Sequence, residues 1–359
     1  MFVPRMKADG HDPAIIGYAG LSGNVINYNG IPVFPSALHP YGQDIWVEHT
    51  RKFGANLMFT LTDSWVIETQ TIPRGMYWIP WYPVDHNPMP PAVREKLSHA
   101  YRRIAMSKYG VQKTHEAGLD CYYVPHGVDT KAYHPIDKQE ARELLKLPKD
   151  AYIVGTVAMN KGASPSRKAF VEMISAFTLF KQTHKNAVYL LHTSTGEGMD
   201  GSVVHFKELC AQNGLELGKD VIFTDPYYAF VGATTDFMAN LYSSMDVFML
   251  TSMGEGFGIP ILEAQACGTP VIVGDWTAMS ELCFSGHKID VKDAHPFYTA
   301  QGAYQYLPNV NAIERKLQLE KAHPSSREKA RKGALEYDAD LVYERDWKPV
   351  LKEIEESFK

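Results

Sequence analysis

The sequence predicts an α/β protein built from open parallel sheets in successive domains. Short apolar runs rich in β-branched residues alternate with amphipathic stretches of helix length, the pattern of a parallel sheet covered on both faces. The alternation restarts near residue 150, and 359 residues make two domains, or one large one, at about 150 residues each. A composition of 45% hydrophobic and 21% charged residues can bury real cores.

In the first series the strands fall at 33–35, 57–61, 76–79, 103–107 and 121–124, with helices at 47–53, 91–100 and 110–117. The second series is cleaner. Its strands are expected at 152–157, 188–193, 221–223, 247–250 and 270–273, and its helices at 167–182, 203–213, 235–244 and 260–266. Pro125, Gly127, Pro135 and Pro148 mark 125–150 as the linker, and 291–311, rich in Tyr, Pro, Gly and Gln, reads as a long irregular excursion. In the charged tail, Trp347, Val350, Leu351 and Ile354 form an apolar stripe at spacings of three and four, so the tail should dock on something. The front is unusual. A doubly wound domain opens with a buried strand and a Gly-rich turn, yet Asp9-Gly10-His11-Asp12 is already a turn. The opening strand and its glycine loop are therefore expected to be missing.

With 36 Lys+Arg against 41 Asp+Glu, no global basic field exists to hold nucleic acid or an anionic membrane. The four cysteines have no CxxC spacing and are too sparse for a disulfide scaffold. No run of 18 apolar residues and no signal peptide is seen, so a soluble, cytoplasmic protein without a transmembrane segment is expected.

The most informative stretch is Gly254-Glu255-Gly256-Phe257-Gly258-Ile259-Pro260-Ile261-Leu262-Glu263-Ala264-Gln265-Ala266-Cys267-Gly268-Thr269-Pro270. It follows the strand at 247–250, which places its glycines at a carboxyl end, where open α/β sheets bind ligands. Pro260 suits the first helical turn and Gly268 the position just past the last. The N–H groups near Gly258 and Ile259 then point outward with the helix dipole behind them and favour a phosphate, while Gly256 and Gly258 allow close backbone approach. Glu255 and Glu263 flank this turn. A carboxylate beside a phosphate is repelled, so these two read as acceptors for hydroxyls, one on a sugar ring and one on a ribose. The bland alternative makes them a loop surface residue and a solvated helix residue.

The segment Glu255-x7-Glu263 resembles the signature of retaining GT-B glycosyltransferases, in the GT4-like group. Val124-Pro125-His126-Gly127-Val128-Asp129 is similar to the family's interdomain segment, and 241–250 to the stretch ahead of the signature. The resemblance implies a GT-B fold: two Rossmann-like domains facing across a cleft. They would be 1–128 plus a returning C-terminal helix 345–359 on the acceptor side, and 129–344 on the donor side. It implies transfer of a hexosyl group from a UDP-, GDP- or ADP-sugar to an acceptor hydroxyl on a glycan, a lipid-linked molecule or a small molecule. No metal and no cofactor are implied. Glu255 would contact the donor hexose, Glu263 the ribose, and the amides of Phe257, Gly258 and Ile259 the distal phosphate and sugar.

Cations for the leaving diphosphate should come from the loop Met159-Asn160-Lys161-Gly162-Ala163-Ser164-Pro165-Ser166-Arg167-Lys168. Ser164 would cap a helix starting at Pro165, so that Lys168 opposes the helix dipole at a cost of about 0.3–1 kcal/mol unless an anion sits alongside. Lys168 ranks first, Arg167 second and Lys161 third, against the alternative of a merely solvated basic loop. Thr277 and Glu281 fall where relatives touch phosphates and cap the next helix. Asp63 is assigned to the acceptor side, because Thr60-Leu61-Thr62-Asp63-Ser64-Trp65 lacks the family's nearby histidine. His126 is either a cleft residue or a turn histidine. The aromatic run Tyr77–Asp85 is core or cleft wall of the first domain.

The expected chemistry is a front-face displacement in which the β-phosphate accepts the acceptor's proton, since no residue stands out as a nucleophile for double displacement. A non-catalytic glycosyltransferase-like subunit or nucleotide-sugar binding protein is the alternative, and peripheral membrane attachment is equally open. A dinucleotide oxidoreductase is excluded because no Gly-x-Gly-x-x-Gly turn opens either half.

Overall fold

The computed structural model describes residues 1–17, 21–162, 164–195 and 203–357. The chain forms two compact units, one of Met1–Val84, Pro88–Gly127 and Ala339–Lys359, the other of Asp85–Asn87 and Val128–Asp338. Three boundaries differ from those expected, the first being the main junction, which falls after Gly127 rather than after 128. The C-terminal return begins at Ala339 rather than 345, and Asp85–Asn87 leaves the first unit for the second. The last two residues of the expected helix 345–359 lie outside the described residues.

The first unit has two small sheets. β1 (Ile15–Ile16), β2 (Ile26–Tyr28) and β3 (Ile31–Phe34) form one, in which β3 pairs parallel to β1 and antiparallel to β2. β4 (Leu57–Leu61), β5 (Tyr77–Tyr82), β6 (Ile104–Ala105) and β7 (Tyr122–Tyr123) form the other, parallel and in chain order. The strand expected at 103–107 is cut to β6 because Ser107 is already an N-cap, its side chain accepting from Gly110 N at the head of the helix Lys108–Glu116. β5 runs past its expected end despite Pro80. β6 joins β5 only at Trp81 and Tyr82, so Pro80 sits where one flank needs no N–H.

Two clusters fill this unit, one around Trp46, Met58, Ile67 and Trp78, the other around Tyr82, Val84, Val93 and Leu97. The helix Lys348–Glu356 adds the predicted stripe, burying Val350, Leu351 and Ile354. Trp347, just before it, stacks its ring 5.0 Å from Trp81 and 5.8 Å from Phe2, so both chain ends enter one core.

The second unit is built on one six-stranded parallel sheet. Its strands are β8 (Tyr152–Val157), β9 (Ala187–His192), β10 (Val221–Phe223), β11 (Val247–Leu250), β12 (Val271–Gly274) and β13 (Gly286–Ile289). They lie in the order β10-β9-β8-β11-β12-β13. β11 and β12 are buried along their whole length and β8 and β9 along nearly all of it, as strands covered on both faces must be. The strand order reverses between β8 and β11, and the carboxyl ends of these neighbours flank the crevice where such sheets bind ligands.

Two readings are corrected here. The stretch 125–150 is not a loose linker, since it holds the helix Lys138–Leu144, capped by Asp137. Its Arg142 is buried because the guanidinium pairs with Asp246 at 2.7 Å and donates to the carbonyls of Ser244 and Lys149, which satisfies its charge and donors inside the fold. The excursion at 291–311 contains an antiparallel hairpin, β14 (Ala294–Tyr298) with β15 (Tyr304–Pro308). Among the described residues, the two strands ladder with each other alone and meet Asn87 through an isolated bridge, so Pro296 and Pro308 can be carried on open edges.

Candidate functional site

Two loops meet at the strand-order reversal. After β8, Asn160 is fully buried and pins the first loop, donating to Ser194 O and Val204 O and accepting from Val204 N. The chain then turns through Arg167 and Lys168 to Ala169, whose left-handed φ of 52° immediately precedes the helix Phe170–Thr183. This corrects the expected helix start at Pro165. Lys168 lies in the turn ahead of the helix, not in its first turns, so the argument from an opposed dipole does not apply. The loop's Ala163 lies outside the described residues.

After β11 comes the glycine-rich turn. Gly258 has φ 105° and caps the helix Ile259–Ala266, with Pro260 in the first turn and Gly268 beyond the last at φ 78°. Gly254 is needed for contact, since a Cβ there would stand 2.2 Å from the carbonyl oxygen of Asp85. The Arg167 carbonyl accepts from Met253 N at 2.8 Å and so ties the two loops together.

Between them sits an ionic cluster. Glu255 Oε1 accepts from Lys168 Nζ at 2.5 Å and from Ser252 Oγ at 2.6 Å, and Oε2 faces Arg167 NH1 at 3.3 Å. Arg167 NH1 also donates to Gly254 O. The Glu255 side chain is only 9% exposed. Burial works to raise its pKa, but the two cations and the bonds from Lys168 and Ser252 win and hold it at about 2. Burial lowers the Lys168 pKa, the Arg167 charge acts in the same direction, and Glu255 acts against both. Thr277, held at φ 54° after β12, accepts from Glu255 N at 3.1 Å and fixes the backbone of that glutamate.

Glu263 has different neighbours. It accepts from Tyr242 OH at 2.7 Å and bonds Tyr133 as well, yet burial outweighs both and raises its pKa. Phe257 is buried, its ring 6.2 Å from that of Tyr337. Lys161 is exposed on the first loop. Asp63 is exposed in the first unit, just past the carboxyl end of β4. His126 is also in the first unit, where its ring packs 4.3 Å from Trp81 and burial pushes its pKa down to about 4. The structure thus brings Glu255, Arg167, Lys168 and Thr277 together, with Gly258 and Ile259 on the adjoining turn.

Sequence reasoning missed two members of the cluster. Asp85 Oδ2 lies 3.7 Å from Arg167 NH1, and Asp85 Oδ1 lies 2.7 Å from the Nδ1 of the buried His86. Asp85 closes the aromatic run and His86 follows it, and the run's apolar character pointed to the core. The polar doublet closing that run was the available signal. Among the described residues, no group of three or more His, Cys, Asp or Glu side chains is arranged to hold a metal ion, and no helix is long and apolar enough to cross a membrane.

Residues 153–301 match the family described as glycosyl transferases group 1. A D-inositol 3-phosphate glycosyltransferase of Catenulispora acidiphila is 32% identical over 150 residues, 41% of this chain and 32% of that protein. The lipopolysaccharide core biosynthesis mannosyltransferase LpsB of Rhizobium meliloti is 32% identical over 165 residues, 45% of this chain and 42% of that protein. The matches therefore span about a third to two fifths of these relatives' lengths. Among solved structures, a sucrose-phosphate synthase of Thermosynechococcus elongatus superposes with a TM-score of 0.71 at 17% identity, covering 98% of this chain and 90% of that one. HepE of Anabaena, solved with UDP-glucose, gives 0.64 at 17% identity, covering 90% and 86%. At those identities the likeness is one of fold, the GT-B class with two Rossmann-like units.

Proposed function

We propose that this chain, whose residues 153–301 match the group 1 glycosyltransferases, moves a hexosyl group from a nucleotide-diphosphate sugar to an acceptor hydroxyl, retaining configuration and using no metal. One observation carries this reading. Arg167 and Lys168 converge on Glu255 beside the N-terminus of the helix Ile259–Ala266, at the reversal point of a parallel sheet.

The two cations and the amides of Phe257, Gly258 and Ile259 form a preorganised cradle for a diphosphate. As the leaving group takes up negative charge, Arg167 and Lys168 neutralise it. The protein thereby supplies the positive charge that a divalent metal would otherwise bring. Glu255, kept ionised, accepts a hydroxyl of the donor hexose. Glu263, oriented by Tyr242 and Tyr133, accepts from the ribose. Glu255 is engaged by two cations and is a poor nucleophile, which favours the front-face route with the β-phosphate receiving the acceptor's proton. Asp63 in the first unit is the residue proposed for the acceptor side.

The test is a panel of UDP-, GDP- and ADP-sugars in EDTA, with UDP-sugars first because HepE was solved with UDP-glucose. Donor hydrolysis or transfer by the chain and by Glu255→Gln is measured. We expect turnover that survives EDTA and falls at least about 100-fold in the variant. Binding without turnover would overturn the catalytic reading in favour of a nucleotide-sugar binding protein.

A further inference from the structure

Asp85 stands in the wrong place for a residue that tolerates an anion nearby. A carboxylate beside a diphosphate site weakens binding by repulsion, unless what it holds is worth more. What it holds is Arg167. The Asp85 carboxylate is gripped by His86 Nδ1 at 2.7 Å on Oδ1 and by Gln305 Nε2 at 3.1 Å on Oδ2, and Arg167 NH1 lies 3.7 Å from Oδ2. Burial would raise the Asp85 pKa, but the bond from His86 and the Arg167 charge hold it below the usual carboxylate range, so Nδ1 of His86 is the donor.

Gln305 is 4% exposed, and it comes from β15 of the hairpin, about 220 residues along the chain from Asp85. The hairpin is itself fixed to the loops of the ionic cluster. Tyr306 N donates to Met253 O at 2.9 Å and Met253 N to Arg167 O at 2.8 Å. On the other side, Asn87 and Tyr304 exchange backbone bonds of 2.9 and 3.0 Å. Asp85 is thus built in from both flanks. Arg167 NH1 then has three oxygens around it, from Gly254, Glu255 and Asp85, while the side chain keeps 40% of its surface exposed. The two NH1 hydrogens lie in the guanidinium plane, so acceptors on Gly254 and Glu255 set the direction of that plane.

We propose that Asp85 is a positioning residue, held by His86 and Gln305, that fixes the Arg167 guanidinium in the orientation that binds the donor's diphosphate. The proposal rests on the reading of Arg167 as a diphosphate ligand and adds the residues that aim it. Charge alone predicts the opposite sign, because removing a carboxylate makes the site more positive and should tighten anion binding.

The experiment measures the affinity of the whole chain for UDP and UMP, GDP and GMP, and ADP and AMP, taking the pair that binds best. In Asp85→Asn the diphosphate is expected to weaken about five- to tenfold, the scale of coupling between neighbouring charged groups in one network. The monophosphate should stay within about twofold of wild type. Added to Arg167→Ala, the same change should do nothing more, since its target is gone. Tighter or unchanged diphosphate binding, equal weakening of both nucleotides, or full additivity with Arg167→Ala would each overturn the proposal. Gln305→Leu gives the same readout with a smaller effect and serves if Asp85→Asn shows no cooperative melt. A wild-type chain with no preference for diphosphate over monophosphate sinks the donor reading together with this one. A wild-type preference that Asp85→Asn leaves intact sinks this one alone.

Discussion

The two units use their side chains for opposite ends. In the second, four strands buried along all or nearly all of their length form the centre of the sheet, and an ionic cluster of Glu255, Arg167, Lys168 and Asp85 sits where the strand order reverses. In the first, strands of two to six residues make two small sheets, and the interior is tied by rings: Phe2, Trp81 and Trp347 together, with His126 against Trp81. A sheet that is stable by its own burial can afford an ionic cluster at its edge. A unit of short strands leans instead on rings such as Phe2, Trp81 and Trp347 to fill its core.

The sharpest way to break that contrast is Trp347→Ala. Removing a ring that touches Trp81, Phe2 and Phe59 should cost about 3–5 kcal/mol. Hydrogen exchange should show lost protection confined to the first unit. Equal loss in β8 and β11 would show that the units do not differ in this way.

Acid separates the units next. His126 is neutral in the fold because burial lowers its pKa from 6.5 to about 4, so the unfolded chain takes up the proton first. Its contribution is complete above pH about 6.5 and is lost as the pH falls toward about 4, by on the order of 3 kcal/mol. Glu255, held at about 2 against an ordinary 4.5, contributes fully above pH 4.5 and loses its share only between there and about 2. Urea unfolding at pH 7 and pH 4.5 should show a fall that His126→Phe flattens and Glu255→Gln does not. The smallest effect is Gly258→Ala. With φ 105° and a Cβ 2.9 Å from Ile261 Cδ1, the new methyl strains the turn by about 1–2 kcal/mol. A drop in melting temperature without any change in first-unit protection would sharpen the comparison.

The same contrast governs what the sequence disclosed. The strands Tyr152–Val157, Val221–Phe223 and Val247–Leu250 and the helix Thr235–Ser244 lie within the bounds read from their apolar runs, because burial on both faces leaves few polar interruptions. Two-residue strands such as Ile104–Ala105 leave too little pattern to bound. The glycine-rich turn was legible because φ and helix capping are local properties. The partners of Glu255 were not, since Arg167 and Lys168 lie 88 and 87 residues away in sequence. The left-handed Ala169 also moved the helix start past both cations. Asp85 was hidden more deeply still, because its meaning depends on a hairpin that the Pro- and Gly-rich composition of 291–311 disguised as coil.

The tripeptide Asp85–Asn87 has a consequence for anyone recombining this gene with others. A graft cut at the apparent domain junction, carrying 128–338 alone, would transplant β15 without Asn87, which bridges Tyr304, and without the acid that meets Gln305. The graft would then read a foreign tripeptide in that slot. A chimera should move three residues from deep inside the upstream coding region along with the downstream cassette, so the heritable module here is discontinuous.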